Sequence, residues 1–116
     1  MDFSLTPAQA DIQRRACAFA QNRVAPLARE MDERGEMPPV LVQEMADLGF
    51  LGGPLPPEYG GEGWDNLSLA LCYEELGRAD SSVRGLMTVH TSLVAQCILA
   101  WGTEVQKQAI LPKLAH

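Results

Sequence analysis

One nearly uncharged stretch limits how this chain can fold more than any other feature of its sequence. It runs from Ser81 to Trp101, and Arg84 is the single formal charge between Asp80 and Glu104. The residues of one stripe recur every three or four positions, which is the spacing of an α-helix. They are Val83, Leu86, Met87, His90, Leu93, Val94, Cys97 and Trp101. A helix that is apolar nearly all round has no face for water, so we expect a buried helix around which the other elements pack.

Length and charge exclude several classes of protein. The 116 residues suffice for one domain, and 47% of them are hydrophobic, which is too many for a disordered chain. The net charge of -6 and the lack of any basic run argue against a nucleic-acid partner. The apolar stretch is about long enough to cross a bilayer, but Arg84, His90 and Gln96 interrupt it. We therefore expect no membrane partner either.

The three cysteines are informative about the cellular compartment and do not indicate a metal site. Cys17, Cys72 and Cys97 are widely spaced, and neither a Cys-x-x-Cys motif nor a Cys/His ligand pair occurs. We expect no metal site on this basis. The N-terminus has neither the basic and apolar regions of a secretory signal nor the arginines of a transit peptide. These features predict three reduced, buried thiols in a cytoplasmic protein.

Capping residues divide the rest of the chain into helices. The candidate N-caps are Thr6, Asp65, Asp80 and Thr103, and the candidate helix ends are Gly35, Gly49 and Gly102. Pro26 should kink or split the first helix, and Pro112 should distort the last. The apolar spacing places Val40 and Leu67 among the inward positions of the second and third helices. The whole pattern predicts an all-α fold of five or six helices without a sheet.

Residues 49–66 form the one long irregular stretch, and it holds six glycines and three prolines. The pairs Gly52-Gly53 and Gly60-Gly61 are weak evidence for a phosphate-binding loop, because no strand precedes them and no Lys-Ser/Thr follows. We expect instead that the loop is pinned to the helical core by its large side chains. These are Phe50, Leu51, Leu55, Tyr59 and Trp64.

Two further candidates for chemistry have simpler interpretations. Glu74 and Glu75 are adjacent, and adjacent helical residues diverge by about 100°, so the two carboxylates cannot flank one reacting bond. We expect a solvated face or an ion pair with Arg78. His90 lies in an otherwise apolar stripe and is interpreted as a core histidine. Trp101 is interpreted as a residue of core or interdomain packing.

Four motifs, in this order, closely resemble the N-terminal helical domain of acyl-CoA dehydrogenases. They are GFLGGPLPPEYGGEG, YEELGRADSSVR, HTSL and WGTEVQKQAILPKLA. The likeness covers essentially the whole chain, residues 1–116, and the first and last motifs are its most specific parts. It implies the all-α first domain of an FAD-dependent enzyme that removes hydrogens from Cα and Cβ of an acyl thioester.

In that family the site is assembled from this domain, a middle β domain and a C-terminal helical bundle. The flavin lies mostly between the last two, and the catalytic glutamate comes from the C-terminal part. The resemblance thus implies no catalytic residue within 1–116, and FAD bound mainly by parts outside it. It also implies an acyl-CoA or acyl-carrier-protein thioester as partner and a homo-oligomeric full-length enzyme. The alternative is a free-standing helical interaction module without catalytic activity.

The resemblance assigns the far wall of the acyl pocket to the start of the apolar helix. Arg84 and, one turn later, Thr88 lie there, and Met87 is a further candidate for the pocket lining. Glutaryl-CoA dehydrogenases look similar, with an arginine and a serine at the matching positions that hold the distal carboxylate of the substrate. A guanidinium can grip a carboxylate through two charge-assisted hydrogen bonds, so this implies a dicarboxylic or otherwise anionic acyl group. That subfamily has an acidic residue where this chain has Gly77.

A purely structural role for Arg84 stays open on the sequence alone. Asp80 precedes it by four residues, which is the spacing of an ion pair on one helix face. A related branch of the family acts on short polar acyl groups attached to a carrier protein. The sequence does not separate these possibilities.

Overall fold

The computed structural model describes residues 3–116, and this part of the chain contains helices and loops but no β-strand. Its α-helical segments are α1 (Pro7–Phe19), α2 (Ala28–Arg34), α3 (Pro39–Asp47), α4 (Asn66–Ala79), α5 (Ser81–Thr88), α6 (Gln96–Trp101) and α7 (Glu104–Ala115). A π-helical turn and a 3-10 turn join α1 to α2, and the π-helical segment Val89–Ala95 joins α5 to α6. These described residues therefore form five rods, which confirms the all-α prediction. The rod Ser81–Trp101 is called the central helix below.

The capping residues act as the sequence predicts. Thr6 and Gln9 form a capping box at the start of α1, and Thr103 and Gln106 form another at the start of α7. Gly35 ends α2 with a φ of 65°, a left-handed conformation that glycine adopts without strain. The rod that contains Pro26 is not broken: its hydrogen bonding changes to the π and 3-10 patterns and then returns to α.

Two hydrophobic clusters hold the rods together. The larger one joins α1, α3, α4 and α5, and within it Phe50 meets Phe19 edge-to-face with ring centroids 5.9 Å apart. The smaller one lies where residues 49–66 cross α7, and it contains Leu55, Tyr59 and Leu111. Four of the five large side chains of this loop are buried and Trp64 is half-buried, so the predicted pinning of the loop is confirmed.

Several predicted inward positions are wrong. Val40 and Leu67 are 51% and 47% exposed, because each lies in the first turn of its helix, beyond the edge of the core. Leu41 and Leu71, which the same apolar spacing also places inward, are buried. The prediction of three buried thiols is also corrected, since Cys72 is buried, Cys17 is half-buried and Cys97 is exposed.

The domain is a flat plate with extents of 42 × 41 × 20 Å. The central helix packs on α4 with Val83, Met87 and Thr91 and on the smaller cluster with Ala95, but much of its remaining surface faces outward. By length and composition alone this helix could cross a membrane, and only 22% of its most apolar window is buried. The expectation that it is buried all round is therefore wrong for this chain, because nothing covers its outer side.

Candidate functional site

Arg84 carries an uncompensated charge at the edge of the central helix. Its side chain is half-buried, and no carboxylate among residues 3–116 lies within ion-pair distance of its guanidinium. Asp80 is committed elsewhere: its Oδ1 accepts the backbone N–H groups of Ser82 at 2.8 Å and Val83 at 2.9 Å as the N-cap of α5. The alternative in which Asp80 neutralises Arg84 is therefore not what the structure shows.

The stem of Arg84 lies against Gly77 on α4. A methyl group built on Gly77 would be 3.5 Å from Cγ of Arg84 and 3.8 Å from its Cδ. Gly77 therefore places no side chain against the Arg84 stem.

A row of hydroxyl groups continues from Arg84 along the groove between the central helix and α4. Thr88 Oγ1 donates to the carbonyl oxygen of Arg84 at 2.8 Å, and Thr91 Oγ1 donates to that of Met87 at 2.8 Å. Because each hydroxyl has one proton, Tyr73 must donate to Thr91, and Ser92 must donate to the Tyr73 hydroxyl 2.8 Å away.

This proton inventory has a consequence for binding. The hydroxyl groups of the row donate their protons to acceptors within the protein, so they can only accept hydrogen bonds from a ligand. The guanidinium of Arg84 has five N–H donors, and none is used within residues 3–116. A negatively charged group at this edge would therefore bind to Arg84, and Thr88 would donate to it only by releasing its bond to the Arg84 carbonyl.

Met87 points the other way. Its side chain is fully buried in the larger core cluster, where the Sγ of Cys72 lies 3.8 Å from its Sδ. Burial also raises the pKa of the Cys72 thiol to about 12, so this thiol is neutral and unreactive. Met87 thus supports the helix from below, on the side opposite the exposed surface.

A second row on the central helix is apolar and exposed. Gly85, Val89 and Leu93 follow one another at the helical spacing of four, and Val89 and Leu93 are 50% and 65% exposed. We call these three residues the outer row. It runs beside Arg84 and Thr88, so a charged donor lies at the N-terminal end of an apolar strip.

The remaining sequence candidates have structural roles. His90 Nε2 donates to the carbonyl oxygen of Leu114 at 2.7 Å and ties the central helix to the last turn of α7. Glu74 pairs with Arg78 at 2.7 Å, and Glu75 is buried with longer contacts to the same arginine. Trp101 is 87% exposed, so it packs on nothing in the described part of the chain.

The loop glycines do not form a phosphate cradle. A methyl group at Gly52 would lie 2.8 Å from Ala115 Cβ, and one at Gly53 would lie 2.4 Å from the Trp64 ring. One at Gly61 would lie 1.9 Å from the carbonyl oxygen of Leu55. The space beside these three glycines is filled by the protein itself, so they do not make room for a phosphate. Among residues 3–116 no cluster of metal ligands occurs either.

Surface cavities lie on other faces of the plate. One of about 550 Å³ lies between α1 and α3, where Phe19, Arg23 and Leu48 line it. Another of about 250 Å³ lies where α2 leads to α3 and is lined by Leu27, Met31 and Met37. Arg84 lines neither of them and lies on open surface. A pocket around it needs a second wall.

Comparison with known proteins identifies the class to which this fold and this surface belong. Residues 6–116 match the family model of the acyl-CoA dehydrogenase N-terminal domain, and the chain belongs to this family. It is 41% identical over 115 residues to a short-chain specific acyl-CoA dehydrogenase of Clostridium acetobutylicum, covering 99% of this chain and 30% of that protein.

Solved structures of full-length relatives agree with this assignment. The chain superimposes on butyryl-CoA dehydrogenase from Megasphaera elsdenii with a TM-score of 0.91 at 36% identity, covering 99% of this chain and 31% of that one. It superimposes on glutaryl-coenzyme A dehydrogenase in complex with glutaryl-CoA with a TM-score of 0.93 at 32% identity, covering 99% and 30%. The chain thus spans about 30% of the length of these relatives. Overall identity is no higher to the glutaryl enzyme than to the butyryl enzyme.

The sequence reasoning missed part of this surface. Ser92 continues the Arg84–Thr88 spacing by one more turn and could have been found from that spacing alone. Tyr73 could not, because its place in the row depends on how α4 crosses the central helix. The outer row was missed because its apolar residues were assigned to the core.

Proposed function

We propose that this chain is the substrate-binding domain of an FAD-dependent acyl thioester dehydrogenase that oxidises the Cα–Cβ bond of an anionic, dicarboxylic-type acyl group. The observation that carries the anionic specificity is the unpaired guanidinium of Arg84 at the end of the exposed outer row. Burying a guanidinium under another domain without a counter-charge is costly, so its partner must come from outside the chain.

The chain contributes binding and orientation in this proposal. The outer row contacts the methylene groups of the acyl chain and keeps water from them, while Arg84 forms charge-assisted hydrogen bonds to the distal carboxylate. Thr88 lies one turn deeper and lines the same wall. Because Met87 is buried, we assign it to support of this wall and not to contact with the substrate. No residue of the chain acts as the catalytic base.

The cofactor, the carrier and the assembly are parts of the same proposal. FAD supplies the hydride acceptor and binds mainly outside this chain, in keeping with the close contacts that fill the space beside Gly52, Gly53 and Gly61. The acyl group arrives as a thioester of coenzyme A or of an acyl-carrier protein. The full-length enzyme is a homo-oligomer in the cytoplasm, without nucleic-acid or membrane partners.

The test compares two arginine variants of the full-length protein. Arg84→Met should lower kcat/KM for glutaryl-CoA about 10- to 100-fold, which is the range for a lost hydrogen bond to a charged group, and should spare butyryl-CoA. Arg78→Met is the matched control, because Arg78 is a nearby arginine that is already paired with Glu74. It should change neither rate.

Two results would contradict the proposal. Unchanged preference in Arg84→Met would remove the anionic substrate. A full-length protein that binds no flavin and reduces no acceptor with any acyl thioester would favour a free-standing interaction module, whose exposed outer row would then dock another protein.

A further inference from the structure

Eight of the ten glycines in this chain have a local reason to be glycine. Four have a positive φ that other residues rarely adopt: Gly35, Gly49, Gly60 and Gly63. Four others have a neighbouring atom so close that a methyl group would clash: Gly52, Gly53, Gly61 and Gly102.

The two remaining glycines lie on either side of Arg84. Gly77 and Gly85 have ordinary helical backbone, and neither is blocked by a neighbour. Apart from its chain neighbours and its own helix backbone, a methyl group at Gly85 would meet nothing within 4 Å, and one at Gly77 would meet the Arg84 stem at ordinary contact distance. Glycine inside a helix is less stable than alanine, because it has more backbone freedom to lose. Within this chain both glycines therefore lower helix stability, although no backbone angle or close contact requires glycine at either position.

We infer that Gly77 and Gly85 are specificity-determining residues, which keep space open on both sides of the Arg84 guanidinium for the anionic end of the acyl group. This inference rests on the proposed function, because the ligand is the one proposed above. Gly77 leaves the guanidinium without a neighbouring side chain on the α4 side. Gly85 begins the outer row, so the end of the acyl chain can lie directly on the helix backbone next to Arg84.

The inference predicts opposite effects on stability and on specificity. Gly77→Ala and Gly85→Ala should each raise the midpoint of thermal unfolding of the full-length protein by about 1 °C, since alanine is the better helix former and nothing obstructs its methyl group. Each should also lower kcat/KM for glutaryl-CoA about 10-fold, because the methyl group takes space that the carboxylate needs. Butyryl-CoA, which ends before the guanidinium, should be turned over as before.

The experiment measures these quantities on the full-length protein with Gly35→Ala as a control. Gly35 has a φ of 65° and lies outside the site, so its replacement should lower stability and leave the ratio of the two substrates unchanged.

Each outcome bears on one claim. Lower stability in both glycine variants would show that the glycines serve the fold and would overturn the inference. An equal loss of activity toward glutaryl-CoA and butyryl-CoA, or no loss toward either substrate, would also overturn it. If Arg84→Met also leaves the substrate ratio unchanged, the proposed function itself fails. If Arg84→Met shifts the ratio and the glycine variants do not, only the inference on glycine fails.

Discussion

Replacing Asp80 tests how the structure divides the work between Asp80 and Arg84. Asp80 Oδ1 holds two backbone N–H groups at the start of α5, and the second belongs to Val83, whose side chain is fully buried. Asp80→Ala removes the acceptor of both. It should lower the free energy of unfolding by about 1 kcal/mol, within the 0.5–2 kcal/mol range of lost N-caps. For a chain of this size that corresponds to roughly 4 °C in Tm.

Two further variants separate capping from ion pairing. Asp80→Ser keeps an N-cap acceptor without a charge and should cost only a few tenths of a kcal/mol. Arg84→Met should change stability by less than about 0.5 kcal/mol, as expected for a surface substitution that breaks no contact. Equilibrium denaturation of the single and double variants in urea, followed by circular dichroism, gives the coupling energy of the pair.

The coupling energy shows whether Asp80 and Arg84 act independently or as an ion pair. A value below about 0.5 kcal/mol supports independent residues. A larger favourable coupling, or a cost of Asp80→Ser as large as that of Asp80→Ala, would mean that Asp80 neutralises Arg84 and that the arginine is structural.

Two other predictions concern ionisable groups. A thiol-reactive dye should label the exposed Cys97 rapidly, whereas Cys72, with its pKa of about 12, should be labelled only upon unfolding. The Cys97→Ser variant should lack the fast phase of labelling. Rapid labelling of Cys72 would contradict its burial. The backbone N–H of Ser68 and the amide of Gln9 hold the pKa of Asp65 below its ordinary value of 3.8. Its cap therefore stabilises the fold fully above that value and is lost as the pH falls through the lower folded pKa, so the stability gap between the wild type and Asp65→Ala should shrink in acid. A gap that widens with acid in chemical denaturation would show that the carboxylate is not the capping form.

The sequence was sufficient to predict the local structure at the helix caps but not to predict which apolar residues are exposed at the surface. The caps at Thr6, Asp65 and Thr103 depend on residues three positions apart, so they can be predicted from adjacent letters. Val40 and Leu67 were misplaced because periodicity identifies an apolar residue without showing how far the core extends toward each helix end.

The same limit applies to the candidate site. Arg84 could be chosen from the sequence because a lone charge in an apolar helix needs a partner. That Arg84 is not paired with Asp80 could not be predicted from the sequence, since a spacing of four residues fits both an ion pair and an N-cap at Asp80. Tyr73 and Gly77 come next to the central helix only through the packing of α4.

The 20 Å thickness of the plate has a consequence for how such a domain changes during evolution. Two helix diameters fill this thickness, so the domain has two layers and its most apolar helix must have a free side. On that helix the residues at 83, 87 and 91 are buried in the core, whereas Val89 and Leu93 are largely exposed and a methyl group at Gly85 would have open space. If the outer row holds the acyl group as proposed, substitutions in it can therefore reshape the ligand surface with little effect on folding, and one scaffold can acquire new acyl preferences in single steps.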